Sequence, residues 1–252
     1  MNNVLAIARK ELRSYFASPI AYIVIGLFAV IFGIFFGVIL LNFNQASQQG
    51  GGQAVNVNEQ LIRPVFLNSV VVFLFMLPIV TMRSYAEEKR SGTIELLLTA
   101  PLTDLQIILG KFTGAMGLYA SMLLVTALSM GSLFFFGTPE VKPLLNTYLG
   151  LLLMGGCFVS VGLLISSFTS NQIVAGAVTF GVFLILWVIN WPAPFAPWPW
   201  LQTFLNYASI VDHFDDFSRG VLDTKHVVYY ISFIAVGLFL TARSVDTERW
   251  RG

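Results

Sequence analysis

Residues 20–41 read IAYIVIGLFAVIFGIFFGVILL, an apolar run without one charge. A transmembrane helix needs about 20 such residues to cross a hydrocarbon core of about 30 Å, and this run meets that length. It is too long for a secretory h-region of about 7–15 residues, and the polar, amide-rich stretch 42–49 behind it offers no small-residue cleavage site. The run is expected to remain in the protein as a span.

Composition extends that reading to the whole chain. Of 252 residues, 56% are hydrophobic and 11% charged, with a mean hydropathy of +0.78. A soluble domain carries about 25% charged residues, so the bilayer must be the solvent for most of this chain. A net charge of +1 supplies no basic field to replace phosphate counterions, which excludes a nucleic-acid partner. The single cysteine, Cys157, lies inside an apolar run. It can form no internal disulfide, has no paired zinc spacing around it, and is assigned to packing.

Six stretches are long and apolar enough to cross: 20–41, 65–82, 112–136, 144–168, 173–191 and 227–242. The second contains Pro78, expected to kink it, and the last is short. With six spans both termini lie on one side, which would hold Arg9, Lys10, Arg13, Arg83, Lys89, Arg90, Lys111, Arg243, Arg249 and Arg251; Arg63, Lys142, Arg219 and Lys225 would lie opposite. The excess of Lys and Arg marks the first side as cytoplasmic.

Before the first span, VLAIARKELRSYFA (4–17) places Val4 or Leu5, Ala8, Leu12 and Tyr15 or Phe16 on one stripe, with Arg9, Lys10 and Arg13 largely off it. Segment 1–18 is expected to form an amphipathic helix in the inner interface, ended at Ser18-Pro19. The alternative is a positively charged flank that only orients the first span. On the outer side, 42–60 includes QQGGGQ and is expected to be flexible. Residues 192–225 keep aromatic side chains among many prolines, with Trp191, Trp198 and Trp200 clustered as at a headgroup boundary. They are expected to form a re-entrant or interfacial cap, the alternative being a plain loop.

The central parts of the six stretches carry no Asp, Glu, Lys, Arg or His, whereas an ion-coupled transporter needs ionisable groups at membrane depth. Asn68, Thr126, Ser129 and Ser160 are candidates for hydrogen bonds between helices, and Gly33-x-x-x-Gly37 and Gly110-x-x-x-Gly114 for close helix contact. Gly110-Lys111 is followed by Phe112, and Leu105 stands five residues before Gly110, so no Walker A loop is present. Asp212, His213, Asp215 and Asp216 could in principle hold a metal or run acid–base chemistry. They point to different sides of a helix outside the membrane, and a solvated rim is the preferred reading.

One stretch breaks the apolar pattern. Residues 83–111, RSYAEEKRSGTIELLLTAPLTDLQIILGK, carry eight charges between the second and third spans. A bare connection in a helical bundle needs about 2–8 residues. Glu87-Glu88-Lys89-Arg90-Ser91-Gly92-Thr93-Ile94-Glu95-Leu96-Leu97, then Thr99-Ala100-Pro101-Leu102 and Leu109-Gly110-Lys111, resembles the signature of type-two ABC exporter permeases. The resemblance extends to Arg-Lys-Glu-Leu at 9–12, the six spans, the cap, and Arg-Gly-Val-Leu-Asp at 219–223. With His213-Phe214 and Phe217, that last region is most similar to the gliding-motility-type permeases.

The resemblance implies an all-α integral membrane permease domain over 1–252, whose segment 83–111 is a cytosolic coupling helix seated in a separate ABC ATPase subunit. Glu87, Glu88 and Arg90 would be the ionic contacts, Thr93 and Glu95 caps or further contacts, and Leu96, Leu97 and Leu98 the apolar contact. Gly92 would permit a bend and Pro101 would end the helix. Arg9, Lys10 and Arg13 belong to the interfacial helix; Trp198, Trp200, His213 and Arg219 belong to the outer cap. The chain itself is expected to bind no cofactor and catalyse nothing, with ATP and Mg in the partner. A second permease copy or a sister permease would complete the assembly in the bacterial inner membrane. The competing readings are a structural anchor for a motility or secretion machine and a stand-alone ion-coupled transporter.

Overall fold

The computed structural model describes residues 2–49, 56–95, 101–135 and 139–249, and among them every regular element is helical. The elements are α1 (Asn2–Ala17), α2 (Pro19–Gln49), a π-helical turn (Asn58–Ile62), α3 (Arg63–Thr81), α4 (Arg83–Arg90), α5 (Asp104–Leu133), α6 (Val141–Ser167), α7 (Gln172–Val188), a 3₁₀ turn (Ala193–Phe195), α8 (Pro199–Ala208), α9 (Ile210–Ser218) and α10 (Thr224–Arg249). Pro19 opens α2 at the position where a missing N–H costs nothing, which is why the chain turns at Ser18.

Among the described residues, five stretches have the length and apolarity of membrane spans: Pro19–Gln48, Asn58–Arg90, Asp104–Leu133, Val141–Ser167 and Thr224–Thr247. The expected span at 173–191 falls on α7, whose 17 residues rise about 26 Å. The expectation of a flexible 42–60 is corrected in its first part, because residues 42–49 continue α2. The sequence NFNQASQQ holds no Gly or Pro to stop a helix. The expected independent segment 83–111 is also divided. Arg83–Arg90 follows α3 after an interruption at Met82, and residues 104–111 form the first two turns of α5.

A capping box starts α5: Thr103 accepts from Gln106 N, and Gln106 Oε1 accepts from Thr103 N. This Thr-x-x-Gln signature was present in the sequence, and it places the helix start eight residues before the expected span. The most enclosed of these spans is α6, most of whose length is buried. Its glycines admit neighbours: a Cβ on Gly155 would lie 2.1 Å from the Tyr119 ring of α5, and one on Gly162 would lie 2.2 Å from Thr81 Oγ1 of α3.

Two poles define the bundle. At one, α1 and α4 meet the start of α5 and the ends of α6 and α10, where Ser167 Oγ bonds Ser244 Oγ at 2.9 Å. At the other, α9 meets the start of α3 through Arg63 and Asp215 (2.5 Å), and the second residue after α7 through Asn190 and Asp212 (2.7 Å).

Of the polar residues expected to bond between helices, Thr126 does so, to the Tyr148 hydroxyl of α6 at 3.1 Å. Asn68, Ser129 and Ser160 instead bond carbonyls of their own helices. Tyrosines take up the interhelical role. Tyr119 donates to Leu151 O at 2.8 Å, Tyr230 to Ile210 O at 2.8 Å, and Tyr15 to Val80 O at 3.3 Å.

Candidate functional site

The amphipathic stripe of α1 packs on α5. Gly110, Gly114 and Gly117 form a groove in which added Cβ atoms would lie 2.6, 2.6 and 2.8 Å from Ile7, Glu11 and Leu12. Gly110-x-x-x-Gly114 is thus a helix contact, and its partner is the N-terminal helix. Gly33 and Gly37 have nothing within 4 Å and pack against nothing in the described chain.

Glu11 lies on the apolar stripe at the Ala8 + 3 position, and that placement explains its partners. Lys111, with a side chain 1% exposed, donates to Ser84 O at 2.7 Å and pairs with Glu11 at 3.2 Å and Glu88 at 2.8 Å. Its ammonium also lies 5.0 Å from the Tyr85 ring centroid. Lys10 bridges the same two carboxylates at 3.3 and 3.2 Å from the exposed side. Burial alone would lower the Lys10 pKa, but the Glu11 and Glu88 charges outweigh it and hold the pKa above its ordinary value. Two carboxylates and two ammonium groups therefore tie α1, α4 and α5 together. A charge on an apolar stripe is the sequence signal that marks Glu11.

The motif residues of 87–101 divide into inward and outward sets. Glu88 enters the buried cluster. Glu87 makes two bonds to Arg83, at 2.8 and 3.0 Å. Lys89 reaches Ser167 O at the end of α6. Arg90, by contrast, is exposed. Ser91 Oγ donates to Glu87 O at 2.9 Å and shares a bond with Thr93 Oγ1 at 2.8 Å, closing α4. Gly92 has φ +71°, the left-handed region that favours glycine, so the bend expected there is present. Residues 93–95 are helical, with Thr93 and Glu95 exposed and Ile94 half-buried against the core. Leu97, with Leu96 and Leu98, lies outside the described residues. Pro101 is exposed, two residues before the α5 cap. Arg9 and Arg13 are exposed on α1.

At the other pole, Trp198 and Trp200 are exposed and stack at 6.0 Å, and Arg219 pairs with Asp215 at 2.8 Å. The rim reading of 212–216 is corrected for His213, which is buried. Its helix carries Phe214 and Phe217 into contact with Gly150 of α6. No group of three or more His, Cys, Asp or Glu side chains is placed to hold a metal among the described residues.

These features define a polytopic helical membrane protein with a charged, rigidly tied face at one pole and a folded cap at the other. The chain belongs to the ABC-2 family of transporter proteins, whose pattern it matches over residues 5–242. It is 33% identical over 146 residues to the probable multidrug ABC transporter permease YbhR of Escherichia coli strain K12, and equally to that of E. coli O157:H7. The match covers 57% of this chain and 39% of those proteins, so the chain spans about two fifths of the length of these curated relatives. That membership, with its several long apolar helices, makes it a multi-pass membrane protein of a transporter family.

Proposed function

We propose that the chain is the membrane subunit of an ATP-driven exporter, coupled to a separate cytosolic ATPase through the outward residues Arg90, Thr93, Glu95 and Pro101. ATP and Mg belong to that partner. The carrying observation is the exposed bend after α4, backed by a buried charge cluster that joins it to three helices. A contact made there loads α3 directly and α5 through Lys111. This sharpens the expectation from sequence: Glu88 serves the internal tie, and the partner meets Arg90 and the residues beyond Gly92.

Six crossings are the reading that α7 supports. It starts beside the α6 terminus, with Asn171 Oδ1 accepting from Ile173 N and Val174 N. It ends next to Asn190, which bonds the cap at the opposite pole. The basic groups of the α1 pole favour a cytoplasmic location for that pole and both termini, in a bacterial inner membrane. The exposed face of α2, with open space at Gly33 and Gly37, supports a second copy or a sister permease as neighbour.

The test is co-purification with a cytosolic nucleotide-binding subunit, followed by charge reversal at Arg90. Arg90→Glu is expected to reduce stimulated ATPase and transport severalfold, with insertion and thermal stability unchanged. Full stimulation in that variant would refute the coupling role. Failure to capture any nucleotide-binding subunit, with motility or secretion proteins captured instead, would favour the anchor.

A further inference from the structure

The chain contains two histidines, and they touch. His213 Nδ1 on α9 lies 2.5 Å from His226 Nδ1 on α10. His226 Nε2 is 2.6 Å from Asp216 Oδ2, and His213 Nε2 is 3.0 Å from Tyr207 O at the end of α8. Both rings are buried.

These distances fix the number of protons. The Asp216 carboxylate and the Tyr207 carbonyl only accept, so each ring must place a hydrogen on Nε2. A neutral imidazole has just one hydrogen, so two neutral rings would face each other with Nδ1 lone pairs at 2.5 Å. One added proton converts that repulsion into an N–H···N bond. A second would set two N–H groups against each other. We propose that His213 and His226 form a one-proton site in the outer cap, where a single shared proton fastens α8 and α9 to the start of α10.

The surroundings say which ring carries the charge. Burial pushes the His213 pKa below its ordinary value; the Tyr207 carbonyl opposes this, and the charges of His226 and Lys225 add to it. Asp216 bonds His226 directly. His226 is therefore the imidazolium, donating from Nδ1 to a neutral His213. The other titratable or charged groups nearby are Tyr207 of α8, Tyr229 and Tyr230 of α10, Cys157 of α6, which bonds Tyr230 O, and the Lys225–Asp223 pair at 3.0 Å. Asp212, Asp215 and Arg219 are turned to Asn190, Arg63 and each other.

Cap tightness then passes through a maximum with pH. As pH rises, loss of the shared proton restores the lone-pair repulsion. As pH falls below the ordinary histidine range, the unfolded chain protonates before the buried His213 can, and the stabilisation is lost. Tyr229 stacks on His213 at 3.8 Å and Tyr207 meets it edge-on at 5.4 Å. The same two tyrosines wall an apolar groove of about 390 Å³ with Val161, Leu164 and Phe233, so release of the latch moves one wall of that groove.

Nitrogen-15 NMR of histidine-labelled protein in nanodiscs, from about pH 5 to about pH 9, reads the site without any variant. One imidazolium and one neutral ring, linked by an N–H···N coupling, are expected over the middle of the range. Asp216→Asn should weaken that proton's binding about tenfold, shifting the alkaline step down by about one pH unit. Hydrogen exchange over 199–218, corrected for intrinsic rates, should be slowest in the one-proton range and lose that optimum in His226→Gln. Two neutral rings at every pH, or two rings that charge independently, would overturn the proposal.

Discussion

Replacing Lys111 by Met keeps most of the buried stem and removes one charge from the cluster. The variant leaves Ser84 O without its 2.7 Å donor and places Glu11 and Glu88, whose side chains are 12% and 15% exposed, against each other with only Lys10 between them. Removing one member of a buried ion pair costs about 3–5 kcal/mol. At about 2–4 °C per kcal/mol for a chain of this size, Tm should fall by about 6–20 °C. Lys10→Ala removes a cation that is 61% exposed and should cost at most about 1 kcal/mol. The triple variant Lys111→Met, Glu11→Gln, Glu88→Leu removes the stranded charges and should recover most of the loss, because an uncharged replacement of a whole buried cluster is often close to neutral. The assay is thermal unfolding in nanodiscs at pH 7, read by tryptophan fluorescence. If Lys111→Met lies within about 1 kcal/mol of wild type, or Lys10→Ala matches it, the cluster is not what ties α1 to α4 and α5.

Two further perturbations probe the same pole and the α2 face. Gly110→Leu pushes against Ile7 at 2.6 Å and should destabilise the protomer by about 1–3 kcal/mol, whereas Gly33→Leu meets open space and should leave protomer stability unchanged while lowering the dimer fraction in light scattering. Gly92→Ala forces a side chain into φ +71° at a cost of about 1–2 kcal/mol; stimulated ATPase should fall while membrane insertion is retained, and unaltered stimulation would show that the bend does not present the contact.

The sequence made the apolar spans legible because hydropathy integrates over many residues. The long run at 20–41 falls inside α2 and that at 144–168 overlaps α6 to within one residue at its end, each helix beginning or ending in residues that are polar yet helix-compatible. Individual side-chain roles were harder to read. Glu88 and Arg90 are two residues apart in one charged run, but helical geometry turns one to Lys111 and the other to solvent. That division depends on where α4 begins, and the interruption at Met82 has no Gly or Pro to announce it. His213 was equally hidden: 213 and 226 are separated by a turn, and only the packing of α9 on Gly150 brings their rings together.

The interruption at Met82 also determines how a push on the exposed bend would travel. Restarting the helix at Arg83 leaves first-turn N–H groups without carbonyl partners four residues back, and Met82 supplies no side-chain cap. Ser166 of α6 takes that place: its hydroxyl accepts from Tyr85 N at 3.0 Å and Ala86 N at 3.1 Å, and it lies 3.0 Å from Met82 O as donor. The cap of α4 is thus supplied by another span, so α4 cannot tilt without moving the end of α6 or losing buried hydrogen bonds. Ser166→Ala should cost about 1–2 kcal/mol, the usual loss of a capping hydroxyl, and should slacken the link between the bend and α6. We expect stimulated ATPase and transport to uncouple, with hydrolysis retained and export reduced, while Ser166→Thr, which keeps the hydroxyl, preserves the coupling ratio. Equal reduction of hydrolysis and transport in Ser166→Ala would mean that force passes along α3 alone, and the trans-capping bond would then serve stability only.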